Sequence, residues 1–244
     1  MVWYAIAVTV LFVAVLAAFV ALAHRGGYLR KLFVKLGWQK PKTTTNWAVF
    51  SWNNTMEKLD YQADIVFFGD SITRGSDFRK EFPDKKIVNL GYSGDTLAGM
   101  VGRVSMIKAM KPKQVFILGG INGLTNQNAE QCAKTYARLL DKVKEALPDA
   151  KVYVQSVLPL SAEKEKAICK NETIIFFNQR IRELAEAREL PFIDLYSLYV
   201  KDGVMNPELT VDGIHLNPHA YGRWAALLEK YILNPKAETS DATV

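Results

Sequence analysis

Four short stretches carry the residues that could do chemistry: Gly69-Asp70-Ser71, Gly91-Tyr92-Ser93-Gly94-Asp95, Gly119-Gly120-Ile121-Asn122-Gly123 and Asp212-Gly213-Ile214-His215. Between them they hold a hydroxyl nucleophile, an imidazole base, a carboxylate that could orient the base, and amide donors. Splitting an ester at neutral pH asks for one group in each of those roles. Ser71 is the candidate nucleophile, and Ser93 in Gly-Tyr-Ser-Gly is its rival. His215 and His219 stand four residues apart and, with Asp212, could also be read as metal ligands. Pro218 starts a helix between the two histidines, so the spacing does not put them on one helical face, and no metal or organic cofactor is expected. The Gly-x-Ser-x-Gly elbow of the α/β-hydrolases is missing. Nor does a phosphate-cradling loop open a helix after the first strand, which speaks against a flavodoxin-like ligand-binding domain.

These stretches must be held by a scaffold, and the hydropathy pattern supplies one. Ile65-Val66-Phe67-Phe68 is a short apolar run rich in β-branched and aromatic residues, as in a strand buried on both faces. Strands are expected at 64–69, 86–90, 113–119, 151–157 and 191–195. Helical stripes lie between them: Leu97, Met100, Val101, Val104 and Ile107 over 97–109; Cys132, Tyr136, Leu139, Leu140, Val143 and Leu147 over 129–147; Ile174, Phe177, Ile181 and Leu184 over 172–188. Asn128 with Gln131 three residues on reads as an N-cap, and Asn217-Pro218 as the cap and first residue of a last helix with Trp224, Leu227, Leu228 and Tyr231 inside. Strands alternating with helices imply a parallel sheet covered on both sides. In such a sheet all four polar stretches fall at the carboxyl ends of the strands, where ligands bind.

The set resembles the SGNH (GDSL-type) hydrolase superfamily: Gly-Asp-Ser in the first loop, Gly91 in the second, Gly120-x-Asn122 in the third and Asp212-x-x-His215 near the C-terminus. The resemblance spans roughly residues 64–232. It implies a flavodoxin-like three-layer α/β fold with a five-stranded parallel sheet, and a serine esterase or lipase that works through an acyl-enzyme. By the same resemblance Ser71 is the nucleophile, His215 the base and Asp212 its orienter. The oxyanion hole falls to the Ser71 and Gly91 N–H groups and the Asn122 side chain. Short-acyl esters of a sugar or lipid are the implied substrates, with lysophospholipids and thioesters as alternatives. A degenerate domain that binds an acylated ligand without turnover is the reading from another class. The one departure is Gly123, where relatives often carry an aspartate; it puts the rigidity of the Asn122 loop in question.

The N-terminal region reads differently. Residues 1–23 contain no charge and are long enough to cross a bilayer as a helix. A cleaved signal peptide would want a basic start and a shorter apolar centre, so an uncleaved transmembrane anchor is expected. Trp3 and Tyr4 suit one interface, and Arg25 onward the other. Residues 24–45 then form a basic linker, with Leu29, Leu32, Phe33 and Leu36 on one helical face against anionic lipid. Lys and Arg exceed Asp and Glu by 31 to 25. Arg25, Arg30, Lys31, Lys35, Lys40 and Lys42 account for the whole excess, since no acidic residue precedes Glu57. The rest of the chain is neutral, which argues against a nucleic-acid partner. Basic residues after the anchor and none before it place the domain in the cytoplasm by the positive-inside rule. The expected organisation is an anchor at 1–23, a linker at 24–45, a hydrolase domain at 46–235 and a disordered tail at 236–244. Cys132 and Cys169 have neither metal nor redox spacing, and Cys132 falls on an apolar helix face.

Overall fold

Five short strands form the centre of the computed structural model, which describes residues 46–124 and 128–232. They are β1 Ile65–Gly69, β2 Ile87–Gly91, β3 Gln114–Leu118, β4 Lys151–Gln155 and β5 Phe192–Ile193, each within a few residues of the expected range. The order is β2-β1-β3-β4-β5 and every pairing is parallel. β1 is therefore an interior strand flanked by β2 and β3, and the register sets its last residue, Gly69, between Gly91 and Leu118.

The helices are α1 Asn46–Lys58, α2 Ser71–Arg74, α3 Leu97–Gly102, α4 Val104–Lys108, α5 Ile121–Leu124, α6 Ala129–Ala146, α7 Ala162–Ala167, α8 Asn171–Glu186, α9 Tyr196–Tyr199 and α10 Pro218–Ile232. Alternate strand side chains point to opposite faces of the sheet. Val66, Phe68, Val115, Ile117, Val152 and Val154 thus meet the inner faces of α3, α6 and α8. Ile65, Phe67, Phe116, Leu118 and Tyr153 meet Trp224 and Leu228 of α10. This gives the expected three layers. On the second face Phe67, Phe116 and Tyr153 stack in a row across three strands, with ring centroids 5.1 and 4.5 Å apart. Truncating the middle ring, Phe116→Ala, would cost roughly 3–5 kcal/mol.

Both expected N-caps form. Asn128 Oδ1 accepts from Gln131 N–H at 2.8 Å, and Asn217 Oδ1 accepts from Ala220 N–H at 3.0 Å. The single helix expected over 97–109 is a correction: it breaks at Arg103, whose backbone (φ −119°, ψ 17°) leaves the helical region. The break turns the Arg103 side chain inward, where it is fully buried. α1 packs beside α4, where its Trp52 indole N–H donates to Met106 O at 3.3 Å. The expected anchor, basic linker and tail lie outside the described residues. Among those described, no helix is long and apolar enough to cross a membrane.

Candidate active site

The first turn after β1 is made by Asp70. Its Oδ1 accepts from Ile72 N–H at 3.0 Å and starts α2 with Ser71 as the first helical residue. That cap holds Ser71 at the carboxyl end of β1. A second restraint comes from α10, where the Tyr221 hydroxyl donates to Ile72 O at 2.8 Å. The third comes from β2: Asn89 Nδ2 donates to the carbonyls of Thr73 and Ser76 at 2.7 and 2.8 Å.

Asp212 and His215 sit on a tight loop. Thr210 Oγ1 donates to His215 O at 2.7 Å and accepts from Gly213 N–H at 2.9 Å. Asp212 Oδ1 accepts from the backbone N–H groups of Ile214 (3.0 Å) and His215 (2.8 Å). Asp212 Oδ2 lies 2.7 Å from His215 Nδ1, and His215 Nε2 lies 2.9 Å from Ser71 Oγ. Partial burial alone would raise the Asp212 carboxyl, but the His215 backbone and ring and the Ile214 N–H outweigh it and hold the acid at about 2. An ionised carboxylate can only accept, so the proton in the 2.7 Å contact belongs to Nδ1. The neutral ring then presents a bare Nε2 to the Ser71 hydroxyl. Chemically, the chain can take a proton from Ser71 and hold it on an imidazolium beside a fixed negative charge.

Ser71, His215 and Asp212, picked out in the sequence, come together. Ser93, the rival nucleophile, does not: its Oγ contacts the Arg74 guanidinium at 3.4 Å and is exposed. His219 lies in the first turn of α10, exposed, and no cluster of His, Cys, Asp and Glu among the described residues could hold a metal.

Of the donors expected for an oxyanion, the Gly91 N–H is already engaged. Gly91 N–H donates to Asn89 Oδ1 at 2.8 Å and is committed within its own strand end. The reason for glycine there is close approach: a Cβ would sit 2.1 Å from Arg74 N and 2.7 Å from Thr73 C, inside the backbone of α2. Gly94, three residues on, has φ +71° and an N–H with no acceptor among the described residues. It precedes Asp95, whose carbonyl accepts from Asn122 Nδ2 at 2.9 Å. Asn122 thus spends one amide N–H on the second loop, and the other has no acceptor among the described residues. The signal for Gly94 was in the sequence, since Ser-Gly-Asp is a turn pattern that calls for a positive φ.

Beneath this loop lies a group that the sequence pattern hid. Arg103 donates to Asp95 Oδ2 (2.6 Å), Leu90 O (2.9 Å) and Gly69 O (2.8 Å). Asp70 is also fully buried, and its Oδ2 has no hydrogen-bond partner among the described residues. Burial pushes its carboxyl up to about 7, despite the Ile72 N–H and the positive charge of Arg103 nearby.

The profile of the GDSL-like lipase/acylhydrolase family matches residues 67–223, which is most of the chain and includes all four loops. The chain belongs to that family. Its solved GDSL-type neighbours share the fold. One, from Streptococcus pneumonia and provisionally described as a platelet activating factor, superposes with a TM-score of 0.68 at 21% identity, over 86% of this chain and 99% of that one. A GDSL-like lipase from Bacteroides thetaiotaomicron gives 0.64 at 23% identity, over 77% and 98%. An acetyl xylan esterase gives 0.58 at 19% identity, over 67% and 96%. Comparison with curated proteins gives no match. Membership makes this GDSL-like protein an esterase-type hydrolase, and the Ser71 loop stands where the family profile begins.

Proposed function

We propose that this GDSL-like hydrolase cleaves acyl esters through a covalent acyl-enzyme on Ser71. Ser71 Oγ attacks the acyl carbonyl carbon while His215 Nε2 takes its proton, and Asp212 stabilises the imidazolium. The oxyanion is received by the Ser71 N–H, the other amide N–H of Asn122 and, in place of Gly91, the N–H of Gly94. Collapse breaks the bond to the alcohol, which leaves with the proton from His215. Water, deprotonated by the same ring, then attacks the acyl carbon and Ser71 regains its proton. No step needs a metal or an organic cofactor.

The observation that carries this reading is the unbroken chain of contacts from Ser71 Oγ through His215 to Asp212, at 2.9 and 2.7 Å. A binding domain without turnover has no use for a base aimed at a serine hydroxyl. Short acyl groups on a sugar or lipid are the favoured substrates, and the acetyl xylan esterase among the structural neighbours is in keeping with that. Hydrolysis of nitrophenyl esters graded from acetyl to dodecanoyl tests it: rates should fall with acyl length, and a maximum at long chains would move the reading to lysophospholipids. We further propose that residues 1–23 anchor the domain to a membrane, with the domain on the cytoplasmic side. Protease added to intact cells should leave the domain uncut, and digestion there would reverse the orientation.

A further inference from the structure

Arg103 is the largest charged side chain that the fold buries completely. Taking a guanidinium out of water is costly unless its donors are met and its charge is paired. Here each of the three nitrogens has an acceptor and the charge is paired. Nε meets the Asp95 carboxylate, the two terminal nitrogens meet the carbonyls of Leu90 and Gly69, and the guanidinium carbon lies 4.2 Å from the Phe68 ring centre and 4.4 Å from that of Tyr92. What those acceptors have in common is their place. Gly69 ends β1 and leads through Asp70 to Ser71. Leu90 stands at the end of β2. Asp95 closes the second loop, and its carbonyl takes the Asn122 amide. One planar side chain therefore ties the nucleophile strand, the Gly94 loop and, through Asp95, the Asn122 side chain to a common frame. Only arginine has a rigid fork that can meet three such acceptors at once.

The geometry points to Arg103 as a positioning residue for the oxyanion hole, acting through Asp95 on the Asn122 side chain. The claim rests on the proposed ester hydrolysis at Ser71. It goes beyond stability, because Asp95 is the shared member: its side chain is held by Arg103 and its main chain by Asn122. Loosening the first contact frees the second. Donors that drift lose most of their value at the moment the oxyanion forms, since their worth depends on being fixed in place beforehand.

A double-mutant cycle on turnover tests this, with thermal melting run alongside to establish that each variant is folded at the assay temperature. Arg103→Lys keeps the charge for Asp95 but cannot reach both carbonyls. It is expected to lower kcat by about 10- to 100-fold with KM changed by less than about 3-fold, since a loss confined to the transition state leaves ground-state binding intact. In an Asn122→Ala background the same change should cost less than about 3-fold, because the donor it positions is already gone. Should Arg103→Lys fail to fold, Asp95→Asn takes its place. It keeps the main-chain carbonyl and an oxygen for Nε, so it should give a smaller loss with the same disappearance in the Asn122→Ala background. Equal losses in the presence and absence of Asn122, or a rise in KM with kcat unchanged, would overturn the positioning role while leaving the esterase reading standing. If Asn122→Ala alone leaves kcat unaltered, the oxyanion assignment falls and this inference falls with it.

Discussion

Asp70→Asn should abolish a pH dependence of stability that the fold has built into its own nucleophile turn. The native Asp70 carboxyl is fully buried, and burial raises it from its ordinary 3.8 to about 7. In the unfolded chain it titrates near the ordinary value. Between those limits the native state holds a proton that the unfolded state has released, so stability falls as pH rises through roughly 4 to 7 and levels off above. About three pH units at roughly 1.4 kcal/mol each make a loss of about 4 kcal/mol. Asparagine has the same shape, carries no charge and still offers an oxygen to the Ile72 N–H. The variant should match the parent at about pH 4 and exceed it by up to about 4 kcal/mol at about pH 8. Urea unfolding followed by tryptophan fluorescence, to which buried Trp224 contributes, repeated across that range for both proteins, reads the difference. Contributions from groups that do not interact with Asp70 cancel in it. Parallel curves for parent and variant would refute the reasoning, because they would mean that Asp70 titrates alike in the folded and unfolded chains.

Three further outcomes follow from contacts in the site. A Cβ on Gly123 would sit 3.1 Å from the Cys132 Sγ; Gly123→Asp should therefore lower kcat, and the Cys132→Ala background should recover part of it. Gly91→Ala pushes into the backbone of α2 and should leave little folded or active protein, whereas Gly94→Ala meets open space and carries only the strain of its positive φ, about 1–3 kcal/mol. Circular dichroism melts separate the two. Asp212→Asn should lower kcat by about 10⁴ because the imidazole loses the partner that fixes its tautomer; the parent's acidic limb should not track Asp212, which stays ionised down to about pH 2.

Much of this was legible in the chain because the strongest signals are local. Apolar runs that end in glycine mark the strand ends, and those ends carry Ser71, Gly94, Asn122 and, after a longer loop, Asp212 and His215. Helix faces such as Cys132-Tyr136-Leu139-Leu140-Val143 are buried as their period requires. The order of the strands was not legible, since pattern shows that β1 is buried but not which strands flank it. Arg103 was hidden for a physical reason. An arginine within a helical stripe reads as its solvated face, and only the break at Arg103 turns it toward Asp95, eight residues back on another loop. The commitment of Gly91 was equally invisible: it depends on Asn89, two residues earlier, using both ends of its amide at once. Gly123 looked like a source of looseness, and the thiol of Cys132 packed against it gives it a steric reason instead.

The most direct test of the central claim is covalent. Incubation with a fluorophosphonate probe, followed by peptide mapping, should place a single adduct on Ser71. Ser71→Ala should remove both the label and ester hydrolysis, and Ser93→Ala should retain both. An unlabelled parent protein, or a Ser71→Ala variant that still reacts and turns over ester, would contradict the assignment of Ser71 as the nucleophile.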